Sequence, residues 1–529
     1  MSILLPTRRT VLAGALGITA GTLTAGGLAR AQGAFAADPF TLGVTSGDPS
    51  PDGFVLWTRL APKPLNARGG LGASPVPVAF VVARDEALRD VVRTGETLAR
   101  VELAHSVHVE VEGLEPGRDY FYRFRAGGVE SPVGRARTLP APGSEVGEVR
   151  FASAGCQAWE GGFYTAWRAI AAERLDFVAH YGDYIYEYGA IAPESRNPPL
   201  PRGMPKDFGA CYTLTDYRRR YALYKTDPDL QAAHASCPFL ASFDDHEIVD
   251  NWADDRDPTG VPPELFLLRR QAALQAWYEH QPVRRAALPR GPDLVAYRDL
   301  RLGRLLHLAV LDTRQHRSRQ PCGDGFKPGC AEADLPERTL MGGSQERWLG
   351  ERLSAGAADT TWHVFAQQVL FAPVEARGFP WVRDKAAGTR NLDAWDGASA
   401  ARGRMLDLWR GTGVTNPVVL TGDAHFGMAL EIPADGRVGG AGCAGVEFLA
   451  TSISSGGDGR PDAAFEMVRA DNPHLKLFSD RRGYTRHTVS PRQWRADYQE
   501  AERVSVPGAA MATRQSFVVE AGRPGLNAG

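Results

Sequence analysis

From residue 40 to about 138, hydrophobic and polar positions alternate in short runs. Examples are Phe54-Val55-Leu56-Trp57, Val78-Ala79-Phe80-Val81-Val82 and Val107-His108-Val109-Glu110-Val111, set apart by Gly, Pro and Asp. Alternation with a period of two, broken by turn residues, predicts half-buried β-strands. Residues 37–140 are therefore expected to form a small all-β sandwich domain. Pro140-Ala141-Pro142-Gly143-Ser144 reads as the linker that follows it.

Beyond the linker the pattern changes. Segments 149–153, 176–181, 238–242, 305–311, 362–367 and 417–421 are apolar runs as long as buried strands. Helical spacing fills 163–174, about 214–235, 264–281 and 344–355. This alternation predicts an α/β catalytic domain over 147–529, with helices flanking layered sheet. The tail around Phe517-Val518-Val519-Glu520 reads as late strands of the same domain. In the N-terminal part, Leu114-Glu115-Pro116-Gly117-Arg118-Asp119-Tyr120 leads into Phe121-Tyr122-Arg123-Phe124. That run looks like the tyrosine corner of fibronectin/Ig-like sandwiches.

The first 36 residues carry a different signal. Arg8-Arg9 precedes an apolar run from Val11 to about Leu28, and Ala29-Arg30-Ala31 and Ala34-Phe35-Ala36 follow. A basic start, an apolar middle and small-residue cleavage patterns predict a signal peptide, and adjacent arginines point to the twin-arginine export machinery. The mature protein is then periplasmic or extracellular, with no stable membrane span. A membrane anchor is the alternative, but the run is rich in Gly, Thr and Ala and only marginally long enough. A net charge of −2 over 529 residues lacks the basic footprint of nucleic-acid binding. The exterior is oxidising, so six cysteines invite pairing. Cys322 and Cys330 bracket a Gly- and Pro-containing loop and predict one disulfide; Cys211 and Cys237 are candidates for a second. Cys156 and Cys443 would remain, and metal ligation is one use for a leftover thiol.

Four strand ends carry polar clusters, where open α/β sheets collect ligands. Gly155-Cys156-Gln157 offers a thiolate after a glycine that permits a tight turn. Gly182-Asp183-Tyr184-Ile185-Tyr186 offers a bridging carboxylate and a phenol. A phenol titrates near 10, so a ligand tyrosine favours a ferric ion over Zn2+ or Mg2+. Phe243-Asp244-Asp245-His246-Glu247, then Asp250-Asn251-Trp252, sets carboxylates beside an imidazole; their repulsion calls for a cation. His246 suits a proton donor to a leaving alkoxide. Gly422-Asp423-Ala424-His425 places two ligand-type side chains on one side of an extended segment. Taken singly, each has a bland reading: an inert buried cysteine, a capping Asp, a core tyrosine. Their recurrence at four strand ends of one chain favours a shared centre.

These motifs, with Thr45-Ser46-Gly47-Asp48-Pro49, Trp57-Thr58-Arg59 and Leu311-Asp312-Thr313-Arg314, resemble the alkaline phosphatase D (PhoD-like) branch of the calcineurin-type metallophosphoesterases. The resemblance runs from residue 40 to about 426. It implies a four-layer αββα metallophosphoesterase sandwich, ferric iron (Fe3+) with calcium (Ca2+), and hydrolysis of a phosphoester substrate. By motif position, it implies iron ligation by Cys156, Asp183, Tyr186 and His425, with Asp183 bridging to calcium. Asp245 and Asp423 would bind calcium, oxygen donors suiting a hard cation. Gln368, or its neighbour Gln367, fills a slot that is His elsewhere in the superfamily. Asn251 and Asp244 are further candidates, and His246 is the expected leaving-group acid.

The family covers both monoesterases and diesterases, and a phospholipase D-type phosphodiesterase is the nearest alternative. An exported redox enzyme is disfavoured: the mature chain has no Gly-x-Gly-x-x-Gly after a strand and no Cys-x-x-Cys-His. A surface adhesion protein would leave the acid, His and Cys set idle. Arg218-Arg219-Arg220 reads as a solvated helix face or a phosphate contact, and Arg314 stays open.

Overall fold

The computed structural model describes residues 35–191 and 202–529. All but the last two residues of the expected signal lie outside that range. β1 (Val44–Ser50), β2 (Gly53–Arg59) and β5 (Ser106–Val111) make one layer of the N-terminal module. β3 (Val76–Ala83), β4 (Val91–Ala99), β6 (Asp119–Ala126), β7 (Val129–Glu130) and β8 (Gly134–Arg137) make the other. Val44, Phe54, Leu56 and Val107 from the first layer meet Val78, Val82, Tyr122 and Phe124 from the second in one buried core. The tyrosine corner is present: the Glu115 backbone N–H donates to the Tyr120 hydroxyl at 3.0 Å.

The first layer does not end at the module. β1 runs parallel to β11 (Phe239–Ala241), with Gly47 opposite Phe239. It thereby joins β10 (Phe177–His180), β9 (Val149–Ala154), β21 (Gly483–Val489), β22 (Gln493–Ala501), β23 (Met511–Glu520) and β24 (Arg523–Ala528) in one ten-stranded sheet. The second large sheet orders β12 (Arg298–Leu302), β13 (Leu306–Val310), β15 (Trp362–Ala366), β17 (Pro417–Thr421), β19 (Cys443–Leu449), β18 (Gly427–Pro433) and β20 (Leu475–Ser479). β14 (Phe326–Lys327) and β16 (Arg390–Asn391) form a separate small ribbon.

The central strands of both sheets are buried on both faces, and the period-two rule divides their side chains. Phe151, Phe177, Ala179, Val418 and Leu420 fill the core between the sheets. Ala152, Ala154 and Val178 face the opposite way, toward α1 (Thr165–Ala172), α2 (Leu214–Lys225), α3 (Pro228–Ser236) and α4 (Pro263–His280). Val419 and Leu430 face α5 (Gly342–Ser354) and α6 (Ser399–Thr412); a short α7 (Glu466–Asp471) lies near the end of the same layer. The layers are thus helix, sheet, sheet, helix, preceded by a β-sandwich.

Three expectations need correcting. The helix expected over about 214–235 is two, because Pro228 cannot donate to a continuing helix and Asp227 caps a new one through the Asp229 and Leu230 N–H groups. Cys322–Cys330 is a disulfide, but Cys211 and Cys237 are free and buried. They lie in different surroundings: Cys211 N–H bonds the Glu187 carbonyl before α2, whereas Cys237 ends α3 beside Ser236. Nor are the three consecutive arginines of α2 a solvated face or a phosphate contact. Arg218 pairs with buried Glu279 at 2.6 Å, and Arg219 pairs with Asp207. Arg220 is buried and donates to the carbonyls of Tyr186 and Gly209.

The motifs near the N-terminus work at the joint between module and catalytic domain. The Trp57 indole donates to the Glu279 carbonyl at 2.9 Å, and Asp48 accepts from Arg298 at 2.7 Å. Thr45 Oγ1 lies 2.8 Å from His234, which reaches the Tyr184 hydroxyl at 3.0 Å.

Candidate metal centre

The parallel strands β9, β10 and β11 end at one rim, and β13, β15, β17 and β19 of the second sheet end at the same rim. The residues just past these ends converge. Ligand-type atoms of Cys156, Asp183 and His425 lie within 4.8 Å of one another; so do those of Asp183, Asp245 and His246, and those of Asp244, Asp245 and Asp423. The Tyr186 hydroxyl joins the first group, donating to Asp183 at 2.8 Å and lying 3.0 Å from His425 Nε2. Four segments separated by up to 269 positions therefore meet, as the sequence reading required.

The backbone is held in an unusual form to do this. Cys156, Asp183, Asn251, Asp423 and His425 all take positive φ, between 51° and 63°. L-residues rarely sit there, and such strain gathers at functional sites. The turn after β9 was expected to use Gly155, but Cys156 takes the left-handed conformation. Gly155 serves close approach instead: a Cβ there would stand 2.4 Å from the Tyr181 ring, and one at Gly422 2.1 Å from the same ring. Tyr181 is thus wedged between the two strand ends that carry Cys156 and Asp423.

Buried acids dominate the electrostatics. Burial, reinforced by neighbouring carboxylates, pushes Asp183, Asp244 and Asp423 well above the usual carboxylate range. Burial and Asp183 likewise raise the Cys156 thiol and the Tyr186 phenol. Asp245 is the exception; despite burial, His246 and Arg314 hold it below its ordinary value. Burial would lower His246, but Asp245, Asp183 and Glu187 raise it well above the ordinary imidazole value. Burial and the charges of Arg482 and His246 lower His425 to about 3, leaving a neutral imidazole.

The donor set fits cations. Asp244 Oδ2 is buried with no hydrogen-bond partner among the described residues, an open acceptor on a member of the acidic group. A thiol, a phenol, a carboxylate and a neutral imidazole make a soft and a hard end; Asp244, Asp245 and Asp423 supply only oxygen.

Several residues do work that their positions in the chain did not reveal. Arg314 is fully buried and donates to Asp244 at 2.5 Å, Asp423 at 2.8 Å and Asp393 at 3.0 Å. Glu247 accepts from the N–H groups of Asp183, Tyr184 and Asp244, stapling the ends of β10 and β11 together. Ser455, past β19, lies 2.6 Å from the Tyr186 hydroxyl and 2.7 Å from the Cys156 carbonyl. Glu187 accepts from His246 Nδ1 at 2.9 Å. Its position directly after Tyr186 was the one available clue.

Gln368 is beside the centre but committed elsewhere. Its Oε1 accepts from Thr313 N–H at 2.9 Å and Thr313 Oγ1 at 2.6 Å, and its amide donates to Ser242 and the Leu311 carbonyl. Both lone pairs of that oxygen are taken, so it has none for a metal. Gln367 is similarly tied to Val369 and Trp395. Asn251 uses its amide to hold Asp324 at 2.9 Å and its backbone N–H to hold Asp245 at 2.7 Å.

Comparison with known proteins gives the class. A family model described as PhoD-like phosphatase matches residues 151–498, and one described as PhoD-like phosphatase, N-terminal domain, matches residues 27–140. The chain is 46% identical to alkaline phosphatase D of Bacillus subtilis (strain 168) over 494 residues, 93% of this chain and 82% of that protein. A solved structure of PhoD superposes with a TM-score of 0.88 at 45% identity, covering 94% of this chain and 93% of that one. The protein is a phosphoester hydrolase. It belongs to the PhoD-like phosphatase family, as the motif resemblance implied.

Proposed function

We propose that the chain is an exported alkaline phosphatase and phosphodiesterase, with a signal over 1–36, a sandwich domain over 37–140 and a catalytic domain over 147–529. Cys156, Asp183, Tyr186 and His425 would hold ferric iron. Asp183, Asp245, Asp423 and Asn251 would hold calcium, with Asp244 an outer acid. The observation that carries this reading is the meeting of Cys156, Asp183 and His425 within 4.8 Å, with the Tyr186 hydroxyl on two of them. Held by these residues, the cations would supply positive charge against the phosphoryl oxygens and a lowered pKa for an attacking water.

The chain's own groups supply the rest. Glu187 takes the His246 Nδ1 proton in a hydrogen bond and fixes the ring, which packs on Tyr186 with centroids 4.2 Å apart. Nε2 is then the atom left to give a proton to the departing alkoxide. Arg314 bridges Asp244 and Asp423 by pairing with one oxygen of each, which offsets their mutual repulsion. Among the described residues, no helix is long and apolar enough to cross a membrane.

The test is metal analysis of the purified protein beside a panel of phosphomonoester, bis-phosphodiester and phosphatidylcholine. Bound iron with calcium, and turnover of the first two, is the expected result. A fully active, iron-free preparation would overturn the cofactor assignment, and turnover of phosphatidylcholine alone would favour the phospholipase D-type alternative.

A further inference from the structure

A cleft of about 620 Å³ opens beside His425 and extends to Trp381 and Arg460. One wall is aromatic, with Trp381 and Phe426 stacked at 5.3 Å and 9°. The other is the glycine-rich turn Gly456-Gly457-Asp458-Gly459. A lone phosphate needs far less space, so the cleft can house the rest of a substrate.

Its charged groups are not equally available. Both Glu160 oxygens accept backbone N–H groups, from Ile191 and Met204. Asp458 accepts from Val504 N–H, Ser505 N–H and Ser505 Oγ. Arg482 is buried and spends its donors on Gly457, His425, Ser452 and Asp480. Arg460 differs. Among the described residues no hydrogen bond uses its guanidinium; Asp480, at 3.6 Å, is its nearest acid and is already engaged by Arg482 and by the Arg460 backbone N–H. Arg460 is half exposed, and its guanidinium carbon stands 5.4 Å from the Trp381 ring centre. A cation over an indole face is held in place without losing its hydrogen-bond donors.

We infer that Arg460, braced by Trp381, is a specificity-determining residue that reads a second anionic group on the substrate, carried by the ester substituent lying in this cleft. The substrate class is then a phosphodiester whose second substituent bears a further carboxylate or phosphate beyond the scissile phosphorus. A guanidinium suits either anion, since its planar fork matches both. The inference rests on the phosphoester hydrolase reading and deepens it.

The test uses the holoenzyme and three p-nitrophenyl phosphodiesters whose second substituent is ethyl, 2-carboxyethyl or 2-(trimethylammonio)ethyl. An exposed ion pair contributes up to about 1 kcal/mol, so kcat/KM for the carboxyethyl ester should exceed that of the ethyl ester by about fivefold at low salt. The trimethylammonio ester should be the poorest, and added salt should shrink the differences. Arg460→Gln should bring the carboxyethyl-to-ethyl ratio close to one, Arg460→Lys should keep part of it, and Trp381→Leu should give an intermediate ratio. Wild-type ratios in Arg460→Gln would overturn the inference, as would a wild-type enzyme indifferent to the second substituent. If wild type hydrolyses none of the three but still cleaves p-nitrophenyl phosphate, the diesterase reading falls and takes this inference with it. Failure on the monoester as well would remove the hydrolase reading itself.

Discussion

Arg314 donates to Asp423 at 2.8 Å from a position with no exposed side-chain surface. The same guanidinium also holds Asp244 and Asp393, so one fixed cation serves acids from three other segments. Breaking a buried pair by removing one partner costs about 3–5 kcal/mol, because the other charge is left uncompensated. Arg314→Met should lose stability on that scale when chelator is present. Calcium should restore a larger share of the loss than it adds to wild type, as read by urea unfolding with and without the ion. Equal calcium responses in both proteins would remove the acids from the calcium site.

Cys156→Ala should lose bound iron, visible absorbance and activity together. Thiolate or phenolate on ferric iron absorbs visible light, so elemental analysis and a spectrum report on the same event. Retained iron with an unchanged spectrum would take the thiol out of the centre.

His246→Asn should depend on the leaving group. Proton donation by a positioned side chain is worth about 10²–10⁴-fold. Loss of that order is expected for an alkyl ester, and a much smaller one for p-nitrophenyl phosphate, whose phenolate departs without a proton. Equal losses on both substrates would argue that His246 orients the site instead.

Asp119 ties the module to the catalytic domain. It accepts from Arg135 at 3.0 Å and Arg137 at 2.7 Å on β8, and from Arg174 at 2.8 Å just past α1. Burial alone would raise its carboxyl, but the Arg137 hydrogen bond and the three arginine charges hold it below 3.8. A depressed folded-state pKa contributes stability that is present above the unfolded value and lost as pH falls through the folded one. Asp119→Asn should therefore cost about 1.5–3 kcal/mol at neutral pH, in the range of hydrogen bonds to charged groups. The gap between wild type and variant should close below pH 3.8, in thermal unfolding measured across pH. A gap independent of pH would assign the loss to packing.

What could be read along the chain depended on distance. Cys156, Asp183, Asp245 and Asp423 each follow a strand by only a few residues, so local pattern located them and strand topology then gathered them. Tyr186 with Ser455 could not be seen this way, because 269 positions separate them and serine at a strand end has no chemical signature. Arg314 followed an acid in a recognisable run, yet its role depends on partners 70, 79 and 109 positions away. Gln368 was expected as a ligand from its motif position; only the hydroxyl and N–H of Thr313, 55 positions away, show that its oxygen is occupied. The continuity between module and catalytic sheet hangs on one parallel bridge at Gly47, too short to leave a pattern.

That bridge bears on engineering. Severing the polymer near residue 140 to obtain a minimal enzyme would uncover the short margin of β11 and take Trp57, Asp48 and Thr45 away from Glu279, Arg298 and His234. A face stripped of its buried partners invites association, so the trimmed protein should precipitate rather than work, and grafting a foreign module in its place would require a first strand able to dock at the same spot.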